Sequence, residues 1–183
     1  MLRLCIREVF EFRFMQTDPN FSNFLYEEGS NRVNLIDMGA CRDYGEKFVT
    51  PYLELVAGAV RNDRDTVLHK SRELGFLTGA ETAKMEKAHI NSVMVVGQPY
   101  QPVPYDFKSG QITADIAVEA PTMFEGRLTP PPPETYSLHR KLSGAFLMCS
   151  KVGAITSCRK DFLETLHNIG RHDLADGITA LEK

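Results

Sequence analysis

Leu2, Leu4, Cys5, Val9, Phe10 and Phe12 spread around most of a helical circumference, which predicts that the chain opens with a core helix. No clear N-cap precedes it. Pro19 disfavours the α region for Asp18, so a loop is expected to begin there. Two short strands follow, over 23–26 and 33–37, and the EEGSN segment at 27–31 supplies the turn of a hairpin. Beyond Gly45 the apolar spacing becomes three and four and stays so. It predicts helices over 46–61, 63–74, 80–97, 113–125 and 134–152, with Asp63, Thr78 and Thr113 as N-caps. Two proline-rich stretches interrupt them. QPYQPVPYDFKSG (98–110) reads as a surface loop, and LTPPPPE (128–134) as a stiff polyproline connector that enters a helix at Glu134. The expected fold is α+β, mostly helical, with one small hairpin and no internal repeat.

Composition narrows the function classes. At 183 residues and 43% hydrophobic content the chain can bury one sizeable core. A net charge of −3 and the lack of any Lys/Arg run argue against nucleic acid as a partner. Cys5, Cys41, Cys149 and Cys158 show neither CxxC spacing nor a disulfide framework, and fit a reducing compartment. No apolar run reaches membrane-spanning length. MLRLCIREVFEFRF has the arginines and apolar face of a mitochondrial transit peptide, but Glu8 and Glu11 count against that. His69, His89, His139, His167 and His172 show no ligand pairing, so each reads as a packed or surface histidine. The segments 80–97 and 134–152 are apolar enough to touch a membrane or a hydrophobic partner, although core packing explains them as well.

The chemistry concentrates in QTDPNFSN (16–23) and DMG (37–39). Asn23 stands five residues after Asp18, and Asp37 nineteen after it, across the hairpin. Taken alone, an Asp-Pro-Asn loop is a capped turn and Asp37 is a strand-end acid. Taken together they have the spacing of a protein-kinase catalytic-loop Asp, its Asn, and the Asp of the metal-binding D-x-G. Phosphoryl transfer requires positioning and charge neutralisation, so magnesium must be held by hard oxygen ligands on rigid backbone. A hairpin sets the loop Asn and the strand-end Asp on one side of a nucleotide, and Gly39 gives the backbone room to turn after the second acid.

FEFRFMQTDPNFSNFLY with VNLIDMGACRDY resembles the catalytic and metal-binding region of the UbiB/ADCK family of atypical kinase-like proteins, in particular its mitochondrial coenzyme Q subgroup. VLHKSRELGFLTG (67–79) and RLTPPPPETYSLHRKLSGAFLMCSK (127–151) are similar to that subgroup too. The resemblance spans about residues 2–166 and implies a partial kinase-like C-terminal lobe over 1–166, with 167–183 a tail of unknown role. Residue by residue it implies that Asp18 is the catalytic-loop acid, that Asn23 and Asp37 are magnesium ligands, and that Gly39 lies against the nucleotide. The implied cofactors are Mg2+ and ATP. The implied partners are coenzyme Q biosynthesis proteins or lipid quinone precursors, with peripheral membrane contact, and the implied location is mitochondrial. Met38 stands where the family usually has Phe.

Thr17 precedes Asp18 where ordinary protein kinases have Arg, and no A-P-E follows DMG. A small or lipid-like acceptor, or ATP hydrolysis, is therefore easier to reconcile with these residues than protein phosphorylation. The seventeen residues before Asp18 cannot hold a phosphate-covering loop, a strand Lys and its Glu partner. The expectation is a short form or fragment with little ATP turnover alone, or else a non-catalytic binding module. A lobe of that kind should leave the first helix and the hairpin uncovered.

Overall fold

The computed structural model describes residues 1–110 and 112–180. It is mostly helical, with three small antiparallel strand pairs, in agreement with a kinase-like α+β fold. Helix α1 (Leu2–Phe10) leads into β1 (Phe14–Gln16), the Asp-Pro-Asn loop, and the hairpin of β2 (Phe24–Glu27) and β3 (Arg32–Leu35). The hairpin register pairs Phe24 with Leu35 and Glu27 with Arg32. Strand β4 (Cys41–Asp43) then returns to pair with β1, Phe14 against Asp43 and Gln16 against Cys41. This second pair closes the base of the hairpin.

Helix α2 (Glu46–Val60) is the centre of the core and buries Phe48, Val49, Tyr52, Leu53, Val56 and Val60, among others. Its Tyr52 ring lies between Phe10 of α1 and Phe48, with centroids 6.2 and 5.2 Å away. Helices α3 (Arg64–Glu73) and α4 (Ala83–Val96) pack on α2, α5 (Ile112–Gly126) packs on α4, and α6 (Pro133–Lys151) meets α2 through the hydrogen bond between Tyr52 and His139. Asp63 caps α3, its carboxylate accepting from the Thr66 N–H at 3.0 Å. Helix α4 begins later than its spacing predicts. The Glu81 carboxylate takes the N–H groups of Thr78 and Gly79 into a turn, so Thr82, not Thr78, caps the helix through the Met85 N–H. Thr113 lies inside α5, which begins at Ile112. Pro132, at φ −51° and ψ 138°, is extended, and the helix that follows starts at Pro133.

Two expectations are corrected. Residues 98–110 are not simply a surface loop: Pro99, Tyr100 and Phe107 are buried. Within that segment β5 (Tyr105–Asp106) pairs with β6 (Ile155–Thr156), because three large apolar groups gain more from burial than the prolines gain from solvent. Nor is the first helix uncovered. It buries Leu2, Cys5, Ile6, Val9 and Phe10 against α2, α6 and α7 (Arg159–Asn168). The hairpin is open as expected, with Leu25, Tyr26, Val33 and Ile36 each more than half exposed. The C-terminal stretch forms α8 (His172–Thr179), whose Leu174, Ala175 and Ile178 join the same core as α1 and α2. All four cysteines are free, and burial pushes the Cys5 and Cys158 thiols up to about 12.

Candidate active site: the Asp18 loop and the Asp37 turn

Two backbone hydrogen bonds tie the Asp18 loop to the segment that follows β3. The Ile36 N–H donates to the Asn23 carbonyl at 3.0 Å, and the Thr17 N–H donates to the Ala40 carbonyl at 2.7 Å. Residues 17–23 and 36–40 therefore form one closed ring of chain, with Asp18 on one side and Asp37 on the other. The site read from the spacing requires the hairpin to fold back on the loop, and these two bonds are that closure.

Inside the ring the polar groups are ordered. The Asp18 carboxylate accepts from the Asn20 N–H at 3.2 Å and from the Asn23 amide at 2.8 Å. Asn23 is buried, so its amide orientation is fixed, and donation through Nδ2 leaves Oδ1 as a hard acceptor. The Asp37 carboxylate is exposed and uses one oxygen to accept from the Gly39 N–H at 2.7 Å. Gly39 does not adopt a positive φ; what it provides is space, since a Cβ there would stand 3.0 Å from Asp37 Oδ1. Met38 is exposed and fills no apolar slot. Among the described residues no three His, Cys, Asp or Glu side chains gather as a metal cluster. A metal in this ring would rest on the Asp37 carboxylate together with the Asn23 oxygen, hard oxygen donors of the kind magnesium prefers.

The residues that hold the ring from behind were not singled out in the sequence. Lys141 of α6 is fully buried and touches three separate pieces of the site. Its Nζ donates to Gln16 Oε1 at 2.6 Å and to the Asp18 carbonyl at 3.5 Å, and it lies 4.7 Å from the centre of the Phe24 ring. Glu8 of α1, also buried, accepts from the Gln16 N–H at 3.2 Å. Burial pushes the Lys141 ammonium below its usual range, opposed by the negative charge of neighbours that include Glu8 and Asp18. Burial likewise pushes Glu8 up, opposed by the Gln16 N–H and by Lys141. Glu8 Oε2 and Gln16 Nε2 remain buried without hydrogen-bond partners.

Two further α6 residues meet the loop. Gly144 lets Pro19 sit directly on the helix: a Cβ at 144 would come within 2.1 Å of the Pro19 Cβ. Arg140 reaches the Thr17 hydroxyl at 3.4 Å, so a cation does stand beside the residue before Asp18, supplied by a helix more than a hundred residues away. The one sequence signal for Lys141 was its place on the inward face of α6, between buried Leu138 and Ala145. A lysine there reads as a snorkelling side chain, so its full burial could not be anticipated.

A loop acid hydrogen-bonded to an Asn five residues on, and tied to a D-x-G across a hairpin, is the arrangement expected of the kinase-like class. Residues 1–71, which contain the whole ring, match the ABC1 atypical kinase-like domain. The chain is 50% identical over 168 residues to the atypical kinase COQ8B, mitochondrial, of Rattus norvegicus, covering 91% of this chain and 32% of that protein. It is 52% identical over 165 residues to the Danio rerio protein of the same name, covering 90% and 26%. It is 42% identical over 167 residues to the atypical kinase COQ8, mitochondrial, of Saccharomyces cerevisiae, covering 90% and 33%. Both comparisons agree with the family read from the motifs: residues 1–71 carry an ABC1 atypical kinase-like match, and about nine-tenths of the chain is similar to mitochondrial COQ8-type atypical kinases. The chain spans about a quarter to a third of the length of these relatives, and their names carry the mitochondrial location that the resemblance implied.

Proposed function

We propose that this chain carries the acid-and-magnesium half of the nucleotide site of an atypical kinase-like ATPase that supports coenzyme Q biosynthesis in mitochondria. The observation that carries the reading is the ring closed by the Asn23–Ile36 and Thr17–Ala40 backbone bonds, which gathers Asp18, Asn23 and Asp37. In this reading Asn23 Oδ1 and the free oxygen of Asp37 hold Mg2+, which neutralises phosphate charge when bound. Asp18, held by Asn20 and Asn23, orients the acceptor hydroxyl or water, and Gly39 lies against the nucleotide. The partners are lipid quinone precursors and other coenzyme Q biosynthesis proteins. Exposed Val118 and Phe124 of α5 and the nearby Leu128 support a peripheral membrane contact, although no helix among the described residues is long and apolar enough to cross a membrane.

A second reading is a binding module that is inactive by itself, and the open apolar hairpin favours it, since none of the described residues covers Leu25, Tyr26, Val33 or Ile36. Magnesium-dependent nucleotide binding by the purified 183-residue chain, lost in Asp37→Asn, is expected on the first reading and absent on the second, while neither expects ATP turnover. Negligible turnover is expected, because the cations needed above the phosphates are not part of the ring. Magnesium-dependent hydrolysis that disappears in Asp37→Asn would instead show a site complete in itself.

A further inference from the structure

A second feature lies among the helices and takes no part in the Asp18 ring. A partly open cavity of about 430 Å³ runs between α2, α4, α5 and α6. That is the size range of pockets that take drug-sized ligands. Its wall is chiefly apolar, with Leu55, Phe76, Val93, Ile116, Leu142 and Phe146 prominent. Arg127, just past the end of α5, is the one formally charged Lys, Arg, Asp or Glu on that wall among the described residues. Its Nη1 is buried and has no hydrogen-bond partner.

A guanidinium donor buried without a partner is costly, and a folded chain keeps one when something else satisfies it. The two histidines of the wall are spoken for. His89 shares a 2.9 Å hydrogen bond with Ser71, and His139 a 3.3 Å hydrogen bond with Tyr52. Both imidazoles are neutral at pH 7, pushed down to about 4 by burial first and then by the charge of Arg127. One unpaired cation in an apolar wall matches a monoanion, and the planar guanidinium fork matches a carboxylate in particular. A phosphate monoester, at nearly two negative charges, would leave charge uncompensated.

We infer that this cavity binds an amphiphile with a single carboxylate head and an apolar body, the carboxylate on Arg127 and the body between α4, α5 and α6. The inference does not rest on the nucleotide reading: the residues differ, and binding needs neither Mg2+ nor ATP.

Fluorescence titration of the 183-residue chain with cis-parinarate, followed by displacement with dodecanoate, dodecanol and dodecyl phosphate, tests it. Saturable one-to-one binding is expected, with dodecanoate the best competitor. Arg127→Gln should weaken dodecanoate about 10- to 100-fold, the range set by a hydrogen-bonded charge pair, and leave dodecanol unchanged. Val93→Trp, which fills the cavity, should abolish both, while Asp37→Asn should change neither. Without ligand, Arg127→Gln should melt no lower than the parent chain, because it removes the orphaned donor. Nuclear Overhauser contacts from bound dodecanoate to the Ile116 and Met123 methyls provide a readout in the unsubstituted chain that does not depend on any variant folding. The inference is overturned by lack of saturable binding to the folded chain, by equal affinity for dodecanoate and dodecanol, by preference for dodecyl phosphate, or by binding that survives Val93→Trp.

Discussion

The two sides of the Asp18 loop are built in opposite ways. Behind it, Glu8, Gln16, Lys141 and Gly144 bring α1, β1 and α6 into contact with the loop, all but Gly144 buried side chains. In front, β2 and β3 carry Leu25, Tyr26, Val33 and Ile36 into solvent, and Asp37 and Met38 are exposed beside them. The difference teaches that the position of Asp18 is fixed from within the helical mass, while the hairpin adds Asp37 without adding core. Substitutions of similar chemical severity should therefore differ greatly in cost between the two sides.

The largest effect is expected at Lys141. Lys141→Met removes the cation that opposes Glu8 and leaves Gln16 Oε1 buried without its donor. Urea unfolding should show a loss of about 3–5 kcal/mol, the usual cost of breaking a buried charge arrangement from one side. Glu8→Gln in the same background should recover part of that loss, because it removes the carboxylate left uncompensated. A loss below about 1 kcal/mol would erase the contrast between the two sides.

Next comes acid. His89 has a folded pKa of about 4 against about 6.5 in the unfolded chain, so between those values the unfolded state binds more protons. Stability present above pH 6.5 is thus lost as pH falls toward 4, by on the order of 3 kcal/mol for this buried group. Urea midpoints at pH 7 and pH 4.5 measure it, and the loss should be smaller in His89→Gln, which keeps a partner for Ser71.

Gly144→Ala follows. The new methyl must displace Pro19 or the helix, at about 1–3 kcal/mol for overpacking. Amide exchange should rise at 17–23 more than in α2, since the strain falls on the loop. The smallest effect belongs to the front: Ile36→Ser should change stability by less than about 0.5 kcal/mol, as for exposed positions generally. A cost of 2 kcal/mol there would mean that the hairpin is part of the core after all.

The contrast also explains what was legible in the sequence. The hairpin and the five central helices follow from short-range signals, namely turn residues and three-to-four spacing, and their ends fall within about three residues of expectation. The D-x₄-N and D-x-G spacing likewise singled out Asp18, Asn23 and Asp37, whose two segments the backbone bonds tie together. Contacts across long sequence separations were not legible. Strands β1 and β4 have three residues each and show no alternation of their own; only their pairing defines them. Lys141 and Arg140 reach a loop more than a hundred residues earlier, and no local pattern marks a lysine as buried. Phe107 and Tyr100 showed how burial overrides a proline-rich context. Thr78 lost its cap role to Thr82 because the competing side chain, Glu81, lies within the same turn.

The central claim is that one ring of chain holds a divalent cation and a nucleotide phosphate through Asn23 and Asp37. Paramagnetic broadening by Mn2+ with ADP, followed in the amide spectrum of the 183-residue chain, tests it without any need for turnover. Selective broadening at Asn23, Asp37 and Gly39, sparing α4 and α5 and lost in Asp37→Asn, is the predicted result. Broadening that is uniform, centred elsewhere, or unchanged by Asp37→Asn would contradict it.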